Sequence, residues 1–127
     1  MSDDLQPVKE FLQRASYREA RSLADLPSYL APELEKEPLA DIGAPYQVGC
    51  VVRGELLPLS RLLSGYIDDS AGEVLLHYES GGFAHTYSLR LYRRSGAGAE
   101  LVSGSYVPSA LVSGADILGL VNSQLRD

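Results

Sequence analysis

The chain has 127 residues, a net charge of −6, one cysteine and no tryptophan. This length is typical of one domain with its own core, so we expect a single domain over residues 1–127. No apolar run approaches the roughly eighteen residues of a membrane-spanning helix, which excludes a membrane span. The acidic balance argues against a general nucleic-acid binder, because such proteins gain affinity by neutralising phosphates.

Targeting and cofactor motifs are also missing from the sequence. Residues 1–4 are acidic and are not followed by the basic and apolar regions of a signal peptide, so a cytoplasmic location is expected. Cys50 is the only cysteine, which excludes an internal disulfide and a cysteine-based zinc cluster. Phosphate-binding glycine loops, metal-binding helices and nucleophile elbows are absent, so we expect no metal site and no cofactor.

The first third of the chain is predicted to be mainly helical. Asp3 or Asp4 can cap a first helix, whose apolar stripe consists of Leu5, Val8, Phe11, Leu12 and Ala15. The capping-box pattern from Ser16 to Glu19 predicts a helical segment that ends near Ala24, either as a second helix or as the continuation of one bent helix. The proline-interrupted stretch 25–45 is expected to be an extended, partly helical connection.

The middle of the chain changes to strand patterns. Residues 46–52 are predicted to form a strand, with Cys50 as a small buried side chain. Residues 56–63 fit either a short helix opened by Pro58 or part of a strand that continues to Ile67. The run Asp68–Gly72 is typical of a turn.

The clearest element is a β-hairpin over Glu73–Arg94 around Gly81-Gly82. A two-residue turn there would pair Ser80 with Phe83, and Tyr78 with His85. One face of the hairpin would then be apolar and the other wet. The apolar face would carry Val74, Leu76, Tyr78, His85, Tyr87, Leu89 and Leu91.

After the hairpin, a loop at 95–98 leads to a strand over residues 99–107. Pairing of Arg94 with Ala99 would place Tyr106 opposite Tyr87, although a loop one residue longer would reverse the faces of this strand. Pro108 ends the strand, and the pattern after Ser113 predicts a C-terminal helix. The fold class is therefore α+β, with N-terminal helices packed on a curved antiparallel β-meander and a C-terminal helix.

Two surfaces are candidates for function. Polar tips gather at the Gly81-Gly82 end of the apolar face, where they either complete the edge of the core or line a site for a small ligand. These ligand-binding candidates are Tyr78, His85, Tyr87 and Tyr106. On the other face, Leu75 and Tyr92 are candidates for a partner interface.

The order of elements resembles the cone-shaped superfamily of ketosteroid isomerase, scytalone dehydratase and nuclear transport factor two. The segments that are similar in character are Phe11-Leu12-Gln13-Arg14-Ala15 and Tyr87-Ser88-Leu89-Arg90-Leu91-Tyr92-Arg93-Arg94. The resemblance implies a helix-backed curved sheet around a pocket, in which the enzymes place acids, histidines or tyrosines. In size, charge and combination of helices and strands, the chain is also similar to secretion chaperones and toxin-immunity proteins, which bind other proteins.

The sequence therefore favours a small non-catalytic binding or interaction module. Its partner would be a protein, a second copy of the chain or a small apolar ligand, and not nucleic acid or a membrane. The alternative is a small-molecule isomerase, dehydratase or hydrolase. In that case His85 would be the acid or base, and Tyr78 or Tyr87 would donate to a developing oxyanion.

Overall fold

The computed structural model describes residues 4–14, 16–47, 57–82 and 84–125. These residues form three α-helices, two 3₁₀ turns and one six-stranded sheet. In chain order the elements are α1 (Gln6–Arg14), β1 (Arg18–Ala20), the 3₁₀ turns Leu23–Asp25 and Ser28–Leu30, α2 (Ala31–Lys36), β2 (Leu39–Ala40), β3 (Ser60–Asp68), β4 (Glu73–Ser80), β5 (Thr86–Ser95), β6 (Gly98–Val107) and α3 (Gly114–Leu125).

The predicted α+β class is confirmed. Strands β3 to β6 form an antiparallel meander, and β1 extends it antiparallel to β3. The two-residue strand β2 also pairs with β3, in the parallel direction. Helices precede the meander, and α3 follows it.

The ends of the helices follow the expected capping chemistry. The carboxylate of Asp4 accepts a hydrogen bond from the backbone N–H of Gln6 at 2.9 Å, and so caps α1. The hydroxyl of Ser113 accepts one from the N–H of Asp116 at 3.2 Å, one turn into α3. Side chains from both helices enter one core, so α1 and α3 pack on the same side of the sheet.

The hairpin exists, but the predicted register is wrong. Ser80 pairs with Thr86 rather than with Phe83, so the connection runs through residues 81–85 instead of through two glycines. Phe83 itself lies outside the described residues. Gly81 donates its N–H to Leu59 at 3.0 Å, and Gly82 adopts a φ of 104°. The partner of Ser80 thus moves by three residues, from 83 to 86. Because side chains alternate between the two faces of a strand, this odd shift places the other set of β5 side chains on the same face as Tyr78.

Both faces of the sheet are covered, which corrects the prediction of one wet face. The face packed against α1 and α3, here called the α1/α3 face, contains Tyr66, Leu75, Leu89, Leu91 and Val107. The opposite face, here called the α2 face, packs against the segment 23–39. It contains Leu62, Ile67, Val74, Leu76, Tyr78 and Tyr92. These two layers leave every residue of β4 from Glu73 to Glu79 buried, including the polar ones.

The two predicted interface residues do not form a surface patch. Leu75 is fully buried in the core under α1 and α3, whereas Tyr92 is buried in the core on the α2 face. They lie on opposite sides of the sheet and expose no shared apolar area. The interpretation of these two residues as a docking site is therefore wrong.

The pairing of β5 with β6 begins as predicted and then shifts. Arg94 lies opposite Ala99, but a bulge at Val102 moves the later pairs by one residue. As a result Tyr106 lies opposite Ser88, and Val107 takes the place opposite Tyr87 that was predicted for Tyr106. The bulge turns the Tyr106 side chain to the α2 face.

Three further predictions concern the first half of the chain. The segment predicted to be helical after Ser16 instead forms β1 and a 3₁₀ turn. For residues 56–67, the strand interpretation is confirmed from Ser60 onward. The predicted strand at 46–52 lies largely outside the described residues, as does Cys50. Among the described helices, none has the length and apolar character needed to cross a membrane.

Candidate functional site

A cleft opens on the α2 face at the Gly81-Gly82 end of the hairpin, and its volume is about 650 Å³. Its floor is formed by β4 and β5, and its walls come from the end of α2, the segment 57–60 and β6. The lining residues of its polar floor are Tyr78, Ser80, Thr86, Ser88 and Arg90. The rim includes Leu59, which is 49% exposed, and Tyr106, which is 72% exposed.

The chemistry of the cleft is that of a polar floor beneath an apolar rim. The Arg90 guanidinium lies 5.7 Å from the centre of the Tyr78 ring and 3.0 Å from the Glu37 carboxylate. Burial raises the pKa of Tyr78 to about 12, so its phenol stays protonated at neutral pH and can donate a hydrogen bond. Ser60 and Ser80 share a hydrogen bond of 2.6 Å at the edge of the cleft. These groups can orient a ligand, while Leu59 and Tyr106 can cover its apolar part.

A second polar cluster lies on the α1/α3 face, centred on the buried side chain of Glu79. Arg61, directly opposite on β3, donates from both Nε and Nη2 to Oε2 of Glu79, at 3.1 and 2.9 Å. The other oxygen, Oε1, accepts a hydrogen bond of 2.9 Å from the Tyr46 hydroxyl and lies 2.9 Å from Nε2 of His85. The Tyr46 ring also packs against Arg61, whose guanidinium carbon lies 4.4 Å from the ring centre.

These contacts decide the charge of Glu79. Burial on its own raises the pKa of this carboxyl group, but hydrogen bonds from Arg61, Tyr46 and His85 outweigh that effect, and the pKa falls below its usual value. The carboxylate is therefore ionised at neutral pH. The pKa of Tyr46 is raised, first by burial and then by its hydrogen bond to Glu79.

The four predicted ligand-binding residues fall into two separate groups. Tyr78 and Tyr106 line the cleft on the α2 face. His85 and Tyr87 belong instead to the Glu79 cluster, where their rings lie 5.0 Å apart. The prediction that all four residues share one face is therefore wrong, and their role in ligand binding stays a prediction.

Sequence reasoning missed Glu79, Arg61, Tyr46 and Arg90 as site residues. The signal for Glu79 was present, since it alternates with Leu75 and His77, but the two-residue turn assigned these three residues to a wet face. Tyr46 is far from Glu79 in sequence, so only the tertiary fold brings the two together. Arg90 was not singled out by the sequence, and the fold places it in the lining of the cleft.

Comparisons with known proteins add no assignment to this site. No protein-family model, curated protein or solved structure matches the chain. The likeness to the cone-shaped superfamily therefore stays a resemblance in the order of elements. Within the described ranges, no group of three or more histidine, cysteine, aspartate or glutamate side chains is arranged to hold a metal ion.

Proposed function

We propose that this protein is a non-catalytic binding module, and that its cleft on the α2 face takes a small amphipathic ligand. The observation that carries this proposal is the combination of an open 650 Å³ cleft with a polar floor and exposed apolar side chains at its rim. Ligand sites of drug-sized molecules have volumes of roughly 300–1,000 Å³ and a few placed polar groups among apolar walls.

The exposure of the rim supports a binding role for the cleft. Tyr106 and Leu59 project large apolar surface towards solvent at the mouth of a concavity. A ligand that covers this surface gains the free energy of removing it from water, at about 25 cal/mol per Å². A cytoplasmic location, a protein partner and self-association stay predictions from the sequence.

The first test is a ligand screen by thermal unfolding and by NMR. A cleft ligand at one hundred times its dissociation constant is expected to stabilise the protein by about 2.7 kcal/mol. Tyr106→Ala should weaken binding about tenfold, because stacking and burial of the ring are lost. Val112→Ala, which removes another exposed apolar side chain outside the cleft lining, is the matched control and should leave affinity unchanged. Equal affinity of both variants and wild type would overturn the proposal.

A second candidate function is acid–base catalysis by His85. The sequence interpretation lacked a carboxylate beside this histidine, and the structure supplies one, since Glu79 contacts Nε2 at 2.9 Å. A carboxylate that holds one ring nitrogen leaves the other free to exchange a proton with a substrate. The His85 side chain is 35% exposed, so small molecules can reach it.

This candidate is tested with 4-nitrophenyl esters as a probe of general-base hydrolysis. If His85 is catalytic, His85→Gln should reduce turnover about a hundredfold, whereas Val112→Ala should retain it. A wild-type rate no greater than that of the same concentration of free imidazole would exclude hydrolysis by this group.

A further inference from the structure

Arg90, a charged residue on the floor of the cleft, is paired with a carboxylate of the chain itself. Arg90 lies on β5 within the cleft lining, and its Nη1 is 3.0 Å from each carboxylate oxygen of Glu37. The guanidinium also lies over the Tyr78 ring, which holds the end of the Arg90 side chain against the floor. A carboxylate thus already sits in the cleft, on the group best suited to hold one.

Glu37 is bound in a way that allows it to leave. It is the residue that follows the last turn of α2 and precedes Pro38. Its side chain is 54% exposed, whereas that of Arg90 is only 24% exposed. Glu37 is hydrated again when it moves into water, so the cost of breaking the pair falls mainly on Arg90. Arg90, by contrast, would be left as a largely buried cation without its carboxylate.

We propose that the natural ligand of the cleft is an organic carboxylate, and that its carboxylate replaces Glu37 on Arg90. Its apolar body then lies between Leu59 and Tyr106 at the rim. Lys36, which is paired with Glu33 at 3.5 Å, also lines the cleft. A neutral ligand that displaced Glu37 would leave the Arg90 charge unpaired, and the cleft therefore discriminates against it. This inference rests on the proposed binding function and specifies the class of ligand.

The test compares 4-phenylbutyrate with its uncharged amide, 4-phenylbutyramide, by NMR titration of the full chain. The carboxylate is expected to bind wild type about tenfold or more tightly than the amide, since only the carboxylate makes charge-assisted hydrogen bonds. Arg90→Met should remove this preference. Resonances of Leu59, Tyr106 and Ser88 should report binding in the cleft.

Glu37→Gln is the decisive variant, because it removes the internal competitor. It should raise the affinity for 4-phenylbutyrate by about two- to fivefold, which corresponds to the loss of an exposed ion pair. Glu35→Gln is the matched control: it makes the same charge change on exposed α2 surface that does not line the cleft, and it should leave affinity unchanged.

Failure of this inference is distinguishable from failure of the proposed function. If the amide binds as tightly as the carboxylate, or if both glutamine variants change affinity equally, the carboxylate assignment is wrong while ligand binding in the cleft stands. If neither probe perturbs the cleft resonances, the carboxylate assignment is also wrong, and the broader screen decides the binding function separately.

Discussion

Replacing Glu79 with leucine is expected to lower the free energy of unfolding by about 3 kcal/mol, the lower end of the range for breaking a buried ion pair. The carboxylate accepts hydrogen bonds from Arg61 and Tyr46 and contacts His85, and all three groups would lose that partner in the core. Partial exposure of Arg61 lets water compensate some of the loss. Urea denaturation at neutral pH measures the effect.

The matched variants separate charge from hydrogen bonding at this position. Glu79→Gln keeps an acceptor for Tyr46 but removes the charge that holds Arg61, so its loss of stability should be smaller than that of Glu79→Leu. Glu35→Gln, which replaces an exposed glutamate, should change the free energy of unfolding by less than about 0.5 kcal/mol. Equal effects at residues 79 and 35 would show that the cluster does not stabilise the fold.

The ionised Glu79 carboxylate should make the folded protein less stable in acid. Because folding lowers the pKa of Glu79, the unfolded chain takes up its proton first as pH falls. The contribution of Glu79 is therefore complete above its ordinary pKa of 4.5, and is lost as pH falls below that value through the folded pKa. Glu79→Gln should remove this part of the acid dependence.

His77 is expected to be the second position with a large effect. Its Nδ1 donates to the carbonyl of Ser88 at 2.9 Å, and its Nε2 accepts the N–H of Leu111 at 2.9 Å. The fully buried ring thus ties the connection before α3 to the sheet. His77→Leu leaves two backbone groups without their partner, at about 1–3 kcal/mol each, so a total loss of about 3 kcal/mol is expected in urea denaturation.

Because His77 is neutral in the folded protein, the stability of the wild-type protein should depend on pH in a second range. Burial lowers the pKa of this ring below 6.5, although its hydrogen bond to Ser88 and the charge of Glu79 oppose the shift. The unfolded chain therefore binds the proton first, and stability should decline as pH falls from about 6.5 towards the folded pKa. Protonated Nε2 can no longer accept from Leu111. His77→Gln should abolish this decline between pH 7.5 and pH 5.5, and an unchanged slope in that variant would contradict the assignment.

Local patterns were sufficient for most elements. The stripe through Val8 and Phe11 predicted α1, Ser113 predicted the start of α3, and the glycine loop after Arg94 gave the correct first pair of the β5–β6 hairpin. In each case the signal lies within a few residues of the element it specifies. The register beyond Tyr92 was wrong, because the bulge at Val102 leaves no mark in the alternation of side chains.

The site depended on information that is not local. Gly81-Gly82 allows a two-residue turn, but the connection extends to residue 85, and Gly81 pairs instead with Leu59 from the segment before β3. That choice reversed the faces of β5 relative to β4. It separated Tyr78 from His85 and brought His85 to Glu79, a contact that supplies the carboxylate missing from the sequence interpretation.

The sequence by itself determined an α+β chain in which the strands β4, β5 and β6 lie between helices, because helix caps, turn glycines and the side-chain period act over short distances. Only the tertiary structure decided which face of each strand packs against which helix. That choice depends on loop length and on two bulges, one in β3 between Leu62 and Ser64 and one in β6 at Val102. It also decided that Leu75 and Tyr92 are core residues and that Arg90 faces a cleft. β4 is buried on both sides from Glu73 to Glu79, so burial alone does not distinguish the two possible assignments of its faces. Packing of α1 and α3 on one side and α2 on the other selected between them.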